Sequence, residues 1–467
     1  MEKNYKNDIP KSSYSKLQKI QDAIADDMQE TLNTVLTREQ SSPKANSSVL
    51  PGNTNIVDYI KPADKPLALL ETLWFGLDYG SILTAYSLDQ TVRQLGWDTI
   101  LMNKPPKLWT SHYDDPDNIA GRFIYKNCKV QKICRTNEDL DEAVRDADAV
   151  IVGSDVMWNY NVCSKQTKTH YFLDYVPDDK KKLSYAASFG YKFVDPYRER
   201  AKTCARFLKR FDALSVGSYM NLDILQDRFG LDAEIVLDPV FLCDRTRFEE
   251  IAAEAPCIES ETDDTFIFNY IKGGSKRKRE FLLTGNEILT PNHYSPMRNF
   301  ININTFPESK KMLGLDVAFH ITVPDWLYYI SHSEFVVTDD FYGVCFAIIF
   351  NKPFIFLESV NYDGMESVKA LLCSLNLEER IVYLEDDFKK KEYLFRMPIR
   401  YKKVNNLLEA LKEQSLSWLN SQLNGTELSD ETAEPLDVPD DLEDEEETDA
   451  EAAPVTSPES DNREETK

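Results

Sequence analysis

The chain has 467 residues, too many for one ordinary domain, and its 42% hydrophobic content is enough for sizeable packed cores. Its formal net charge of −25 argues against nonspecific nucleic-acid binding, which depends on phosphate neutralisation by Lys and Arg. Residues 427–467 hold 18 acidic and two basic side chains, a net charge of −16 that leaves −9 for the rest. The eight cysteines show no Cys-x-x-Cys and no metal spacing with His.

The cellular compartment and the absence of a cofactor are predicted from features that the sequence lacks. The N-terminus has no apolar signal region, and the longest apolar run is far too short for a bilayer. Scattered cysteines are typical of reduced thiols. We therefore predict a cytoplasmic protein without a transmembrane segment, a metal site or a cofactor.

Residues 1–64 are predicted to form a segment of their own. Apolar residues recur at three- and four-residue steps in residues 13–37, which indicates one amphipathic helix. Residues 41–55 are rich in Ser, Pro, Asn and Gly and indicate a linker. The helix either packs on its own domain or serves self-association or a protein partner.

Alternating strands and helices predict a first α/β domain, residues 65–260. Such alternation is typical of a parallel sheet with helices on both faces. Strands are predicted at residues 67–73, 98–102, 147–152, 183–187, 213–216 and 234–237, and helices at residues 81–95 and 138–145.

An acidic stretch at residues 254–264 interrupts this pattern, and we place the domain boundary there. A second set of alternating strands and helices follows and predicts another domain, residues 261–424. Two Rossmann-like domains facing a cleft form the GT-B-like architecture, which is the fold that we predict. Residues 425–467 lack aromatic side chains and are predicted to be a disordered acidic tail that could bind a partner. The second domain has predicted strands at residues 265–271, 335–338, 354–357 and 381–383, and helices at residues 324–332 and 405–423.

Polar residues follow two of these strands, at the edge where open α/β sheets bind ligands. Ser154 and Asp155 follow one strand, and Trp158 lies close behind. The carboxylate could accept hydrogen bonds from sugar hydroxyls, and the indole could stack on a sugar ring. The alternative is a helix-capping Asp and a core Trp.

Two glycine turns open helices and could present N–H groups to an anion. Tyr79 and Gly80 precede the helix at residues 81–95, where a plain helix start is the alternative. A basic turn follows the strand at residues 265–271 and could cradle an anionic donor, or could simply be solvated. It lacks the Lys-Ser/Thr ending of a P-loop. The basic turn comprises Lys272, Gly273, Gly274, Ser275, Lys276 and Arg277.

In the same order, these motifs resemble the polysaccharide pyruvyl transferase family. Residues 153–159 read Gly-Ser-Asp-Val-Met-Trp-Asn, where the family has Gly-Ser-Asp-Gln-Val-Trp-Asn. Residues 337–343 read Val-Thr-Asp-Asp-Phe-Tyr-Gly, where the family has Val-Thr-Asp-Ser-Phe-His-Gly. Residues 78–81, 171–175 and 182–190 continue the resemblance.

Charged residues of the family pattern are substituted in three motifs. Tyr342 replaces His, Gly217 and Ser218 replace an Arg-Glu pair, and residues 362–368 lack the family's Arg. In the family's reaction phosphoenolpyruvate is protonated and attacked by a sugar hydroxyl, so that a pyruvate ketal forms. His suits the proton transfer, and Arg suits the two anionic groups of the donor.

The resemblance implies a phosphoenolpyruvate donor and a glycan or glycan-precursor acceptor. It puts Asp339, Asp340 and Tyr342 at the reaction centre, and the basic turn is our expected donor site. The expected acceptor contacts are Tyr79, Gly80, Ser154, Asp155 and Trp158. The alternative is a catalytically degenerate member that binds a glycan or serves as a scaffold in surface-polysaccharide assembly. A nucleotide-sugar glycosyltransferase is a third reading, although no motif is specific for a base.

Overall fold

The computed structural model of the protein describes most of the region between residues 64 and 425. The predicted N-terminal helix at residues 13–37 lies outside the described residues, and so does the predicted tail apart from Gly425. The described ranges are 64–73, 78–104, 119–159, 169–190, 198–255, 266–273, 276–289, 300–303, 321–358, 364–383 and 386–425.

The first sheet is parallel and has the strand order β2-β1-β3-β4-β5-β6. Every residue of the strand Leu67–Glu71 is buried, as expected for a strand covered by helices on both faces. The strands are β1 (Leu67–Glu71), β2 (Asp98–Leu101), β3 (Ala149–Asp155), β4 (Lys181–Ala187), β5 (Ser215–Val216) and β6 (Glu234–Ile235).

The second sheet is also parallel, with the order β11-β10-β9-β7-β8. Its strands are β7 (Ile267–Tyr270), β8 (Phe300–Ile303), β9 (Phe335–Thr338), β10 (Phe354–Leu357) and β11 (Ile381–Val382). The prediction of an α/β fold built on two Rossmann-like sheets is therefore confirmed. It missed β8, and it ended β3 too early, because the β3–β4 ladder continues to the pair Asp155 and Ala187.

Helices connect these strands, and side-chain caps mark several of their starts. Asp78, Thr322 and Asp340 each accept backbone N–H groups at the first turn of a helix. None of the helices within the described ranges is long and apolar enough to cross a bilayer. The helices are α1 (Tyr79–Gln94), α2 (Ile119–Asn127), α3 (Asn137–Val144), α4 (Arg198–Leu208), α5 (Tyr219–Ile224), α6 (Arg245–Ala252), α7 (Lys276–Leu289), α8 (Val323–His332), α9 (Phe341–Ile349), α10 (Met365–Ser374) and α11 (Tyr401–Asn424).

The last helix returns to the first sheet. The Trp97 indole N–H donates to the Asn424 side chain at 2.9 Å, and Lys181 Nζ donates to a carbonyl in the same turn. The Ser415 hydroxyl accepts the Leu237 N–H at 3.0 Å. The sequence prediction grouped this helix with residues 261–424, whereas these contacts attach its C-terminal half to the first sheet.

Each sheet has one point where the strand order reverses. In the first sheet β1 lies beside β3, and in the second β7 lies beside β9. Open α/β sheets bind ligands beyond the carboxyl ends of the strands at such switch points. The chain segments that leave these four strands are therefore the places to look for a site.

Candidate functional site

A cleft of about 540 Å³ is lined by residues that follow strands of both sheets. This volume falls within the range of small-molecule sites, about 300–1,000 Å³. All four switch-point strands contribute: Asp78 follows β1, Asp155 ends β3, Lys272 follows β7 and Asp340 follows β9.

Lys272 joins the two halves of the cleft. Its Nζ lies 2.9 Å from Asp78 Oδ2 and 2.7 Å from Asp340 Oδ2. Both carboxylates also cap helices, because Asp78 accepts the Ser81 N–H and Asp340 accepts the Tyr342 N–H. Burial raises the pKa of Asp340, an effect that the Lys272 ammonium opposes. One cation thus holds the N-termini of two helices together across the cleft.

Tyr342 lines the cleft and is only 4% exposed. Its ring covers Gly80, where a Cβ atom would lie 2.0 Å from the ring. Gly80 is therefore needed for this close approach. The Tyr342 hydroxyl lies 3.5 Å from Asp155 Oδ2. Burial, and then the Asp155 carboxylate, raise the pKa of Tyr342 far above its usual range, so this side chain is a neutral hydrogen-bond donor.

Asp155 has the environment of a carboxylic acid that titrates near neutrality. Its φ of 71° lies in the left-handed region, where non-glycine residues are strained and often functional. Its Oδ1 accepts the Val156 N–H at 2.7 Å. Burial and then the nearby Asp78 carboxylate raise the pKa of Asp155 to about 7.

Asp238 is a second carboxyl in the cleft, and our sequence prediction missed it. It follows β6 and accepts the Ser154 hydroxyl at 2.7 Å and the Val240 N–H at 3.1 Å. Burial raises the pKa of Asp238 to about 6, against the effect of its hydrogen bonds. The signal in the sequence was a polar residue directly after the predicted strand 234–237, which is the argument that pointed to Asp155.

Asp339 is held outside the cleft wall by three donors. It accepts the Lys272 N–H at 2.6 Å, the Gly273 N–H at 2.8 Å and the Lys278 Nζ at 2.8 Å. The carboxylate of Asp339 is 1% exposed and its partner Lys278 is 2% exposed. The catalytic role predicted for Asp339 stays a prediction, and this geometry favours a structural one.

The other described side chains of the basic turn contact residues that do not line the cleft. Gly274 and Ser275 lie outside the described residues. Lys276 is exposed, 3.7 Å from Glu280, and Arg277 donates to the Asp386 carbonyl at 2.6 Å. Of the described residues in the turn, Lys272 alone lines the cleft. The role of the turn in donor binding stays a prediction, and the two N–H groups described here already bond to Asp339.

The two aromatic residues expected to contact the acceptor are core residues. Trp158 is 0% exposed, donates to the Tyr171 carbonyl and stacks against Phe172. Tyr79 donates to the Ile321 carbonyl at 2.8 Å and stacks on Trp326. A sugar has no open ring face at either residue in this structure, because both rings are covered by other side chains. Ser154 and Asp155, by contrast, line the cleft.

The described wall of the cleft is acidic. Four carboxyl groups and one ammonium group line it: those of Asp78, Asp155, Asp238, Asp340 and Lys272. The substituted positions lie in the same wall, because Gly217, Ser218, Tyr342 and Gly364 all line it. Among the described residues, no cluster of His, Cys, Asp or Glu has the arrangement to hold a metal ion.

Comparisons with known proteins give one family. A family profile described as polysaccharide pyruvyl transferase matches residues 78–361, more than half of the chain and every strand-end residue discussed above. A search of curated proteins found no match.

Several solved structures are similar in fold at low identity. UDP-GlcNAc 2-epimerase from Neisseria meningitidis bound to UDP-GlcNAc is 11% identical, with 78% of this chain and 100% of that chain covered at a TM-score of 0.47. A glycosyltransferase from Rickettsia africae ESF-5 is 10% identical, with coverages of 78% and 100% and a TM-score of 0.47. UDP-GlcNAc 2-epimerase from Methanocaldococcus jannaschii is 12% identical, with coverages of 75% and 99% and a TM-score of 0.42.

Proposed function

Because the chain belongs to the polysaccharide pyruvyl transferase family, we propose that it transfers the pyruvyl group of phosphoenolpyruvate to a sugar of a glycan or glycan precursor. The observation that supports this most is a pair of carboxyl groups in one cleft, Asp155 and Asp238, with pKa values of about 7 and about 6. Two such groups with different pKa values close to neutrality are suited to be the acid and the base of one reaction.

The proposed chemistry starts with a proton transfer. The protonated carboxyl of Asp155 gives its proton to the methylene carbon of the donor, and a sugar hydroxyl oxygen bonds to the adjacent carbon. Asp238, ionised at neutral pH, takes the proton of that hydroxyl. A second hydroxyl of the same sugar then displaces the phosphate and closes the cyclic ketal. Its proton returns to Asp155, and the proton on Asp238 leaves with the phosphate.

Tyr342 and Lys272 have supporting roles in this proposal. The Tyr342 hydroxyl, 3.5 Å from Asp155, can donate a hydrogen bond to the carboxylate that remains after proton transfer. Lys272 carries the ammonium group that can meet the phosphate or carboxylate of the donor. Asp155 would thus perform the proton transfer that His performs in the family, without an added charge at position 342.

The acidity of the cleft favours a second candidate, a glycan-binding protein without catalysis. Lys272 already pairs with Asp78 and Asp340, so an anionic donor meets more carboxylate than free positive charge. Neutral sugars avoid this repulsion, because their hydroxyl groups donate hydrogen bonds to carboxylates. On this alternative the protein would bind a glycan, or act as a scaffold, in surface-polysaccharide assembly.

Donor binding and turnover separate the two candidates. Phosphoenolpyruvate is titrated into the full-length protein by calorimetry and thermal shift; a ligand at 100 times its Kd adds about 2.7 kcal/mol of stability. Phosphate release is then measured with methyl glycosides of glucose, galactose, mannose and N-acetylglucosamine, which carry hydroxyl pairs. Donor-dependent phosphate release with ketal formation is the expected result. No binding at millimolar donor would overturn pyruvyl transfer and leave the glycan-binding alternative.

Matched lysine variants locate the donor. Lys272→Met should weaken donor binding, whereas Lys276→Met, at an exposed position outside the cleft wall, should not. If instead Lys276→Glu with Arg277→Glu abolishes donor binding while Lys272→Met does not, the donor binds at Lys276 and Arg277 and not at Lys272.

We further propose a cytoplasmic location. The cysteines in the described part of the chain are free thiols, as expected in a reducing compartment. Protein partners for the predicted N-terminal helix and tail remain a prediction, since both segments lie outside the described residues.

A further inference from the structure

An exposed aromatic side chain stands in the cleft wall. Tyr219, the first residue of α5, is 70% exposed and lines the cleft. Among the described residues, Tyr393 and Met397 are the other large apolar side chains that are strongly exposed, and neither lines the cleft. An aromatic ring that faces a cleft lined by a few polar groups is typical of a ligand site.

The base of Tyr219 is held in place. Ser218 caps α5 by accepting the Asn221 N–H, and the Asn221 side-chain amide donates to the same hydroxyl at 2.7 Å. The amide oxygen of Asn221 accepts the Phe189 N–H at 2.8 Å. This network ties the start of α5 to the segment after β4. Tyr219 therefore presents its ring from a fixed backbone, which lowers the ordering cost of binding.

Gly217, two residues before Tyr219, leaves open space in the cleft wall. It has no left-handed φ, and a Cβ atom there would meet one other atom within 4 Å, the Ala186 carbonyl oxygen at 3.8 Å. Neither backbone conformation nor packing therefore requires a glycine. Gly217 and Tyr219 lie two residues apart and line the same cleft, so the missing side chain leaves room for a ligand in the part of the cleft near Tyr219.

Groups that can form hydrogen bonds with hydroxyls line the same cleft. Ser218, Ser374 and Gln414 line the cleft together with Tyr219, and the carboxyl groups of Asp155 and Asp238 line it as well. An aromatic face combined with hydroxyl, amide and carboxylate groups matches a pyranose ring, which has an apolar C–H face and a rim of hydroxyls.

We propose that Tyr219 is the stacking platform for a hexose ring of the glycan, with Gly217 leaving room in the part of the cleft near it. The assignment rests on the proposed glycan-directed function. Tyr219 replaces Trp158 as the proposed stacking residue, because the ring of Trp158 is buried in the core. The assignment requires sugar binding but not turnover, so it holds for an enzyme and for a glycan-binding protein alike.

Saturation-transfer NMR with the full-length protein tests the platform. The probes are methyl glycosides of glucose, galactose, mannose and N-acetylglucosamine. Wild type should bind at least one of them, with the strongest transfer to the C–H face of the ring. Tyr219→Ala should weaken that binding about tenfold, because the stacking contact is lost. Tyr219→Phe should keep it, because the face of the ring and not its hydroxyl makes the contact.

Tyr393→Ala is the matched control, since Tyr393 is 53% exposed and lies outside the cleft wall. It should bind the sugar as wild type does, and thermal melting should show that all three variants are folded. Absence of sugar binding to wild type, or equal binding by wild type and Tyr219→Ala, overturns the platform. Sugar binding through Tyr219 without phosphate release supports the platform and overturns pyruvyl transfer, so the two failures are distinguishable.

Discussion

Asp155 and Asp339 occupy equivalent positions in their respective sheets, but their carboxyl groups have different hydrogen-bond donors around them. Each stands at the carboxyl end of a switch-point strand, β3 for Asp155 and β9 for Asp339. Asp339 is bound by a buried ammonium group and two backbone N–H groups. Asp155 accepts one backbone N–H and lies near the neutral hydroxyl of Tyr342.

The difference shows that carboxyl groups at equivalent strand ends can have different roles. A carboxylate that is bound by a buried cation and two N–H groups is fixed in place and orders the structure around it. Asp155 accepts one backbone N–H, and burial, followed by the nearby Asp78 carboxylate, raises its pKa to about 7. Position at a strand end selects candidates for chemistry, whereas burial, nearby charges and hydrogen-bond partners together determine which candidate can transfer a proton.

The largest expected effect is on turnover. Asp155→Asn removes the proposed proton donor and should lower donor-dependent phosphate release by roughly 10²–10⁴. Asp339→Asn should instead lower stability while the folded variant keeps most of its turnover. Phosphate release and denaturant unfolding measured on both variants check this. Loss of turnover in Asp339→Asn alone would reverse the comparison.

Next in size is the effect of leaving Asp339 without its cation. Lys278→Met should lower the free energy of unfolding by about 3–5 kcal/mol, because an uncompensated charge remains buried. Lys276→Met, two residues away and exposed, should change it by no more than about 0.5 kcal/mol. Urea unfolding of both variants makes the measurement. Similar values for the two lysines would show that the Asp339 contacts do not carry the stability assigned to them.

The free energy of unfolding of wild type should depend on pH through the titration of Asp155, and that of Asp155→Asn should lack this dependence. Its pKa rises from the usual value near 3.9 in the unfolded chain to about 7 in the folded state. The folded state therefore favours the protonated form, and its stabilising contribution is lost as the pH rises from about 4 to about 7. The stability of Asp155→Asn relative to wild type should thus increase over this range, by about 2 kcal/mol after allowance for solvent in the cleft. A flat difference curve contradicts the raised pKa.

The pH dependence of turnover should follow the titration of two carboxyl groups, those of Asp155 and Asp238. The proposed acid must be protonated and the proposed base ionised, so turnover should peak between the pKa of Asp238, about 6, and that of Asp155, about 7. Because the two carboxyls interact, the observed limits belong to the pair. Activity that keeps rising above pH 8 would exclude a carboxylic acid as the proton donor.

The smallest effect concerns a substituted position. Gly217→Arg should fit, because its Cβ position is open, and should add a cation to the acidic wall. We expect donor affinity to rise about tenfold, the equivalent of 1.4 kcal/mol. Gly217→Met provides a long uncharged control. Equal donor affinity in the two variants, measured by calorimetry, would show that the charge of the cleft does not limit donor binding.

Local pattern was sufficient to predict both sheets apart from β8 and the end of β3, because buried parallel strands appear as short apolar runs that alternate with helices. The same pattern, with the switch-point rule, pointed to Asp155, Asp340 and Lys272. It could not assign the role of Asp339, whose partner Lys278 is 61 residues away in the chain. It also could not show that Trp158 is covered, since an aromatic residue after a strand looks the same whether it meets a core or a ligand.

The central claim, that Asp155 is a carboxylic acid poised near neutrality, is tested most directly by its own titration. Selective ¹³C labelling of the aspartate carboxyl groups, with Asp155→Asn to assign the signal, gives the pKa by NMR. A midpoint near 7 is the predicted result. A midpoint near 4, the ordinary value for an exposed Asp, would contradict the account and remove Asp155 as the proton donor.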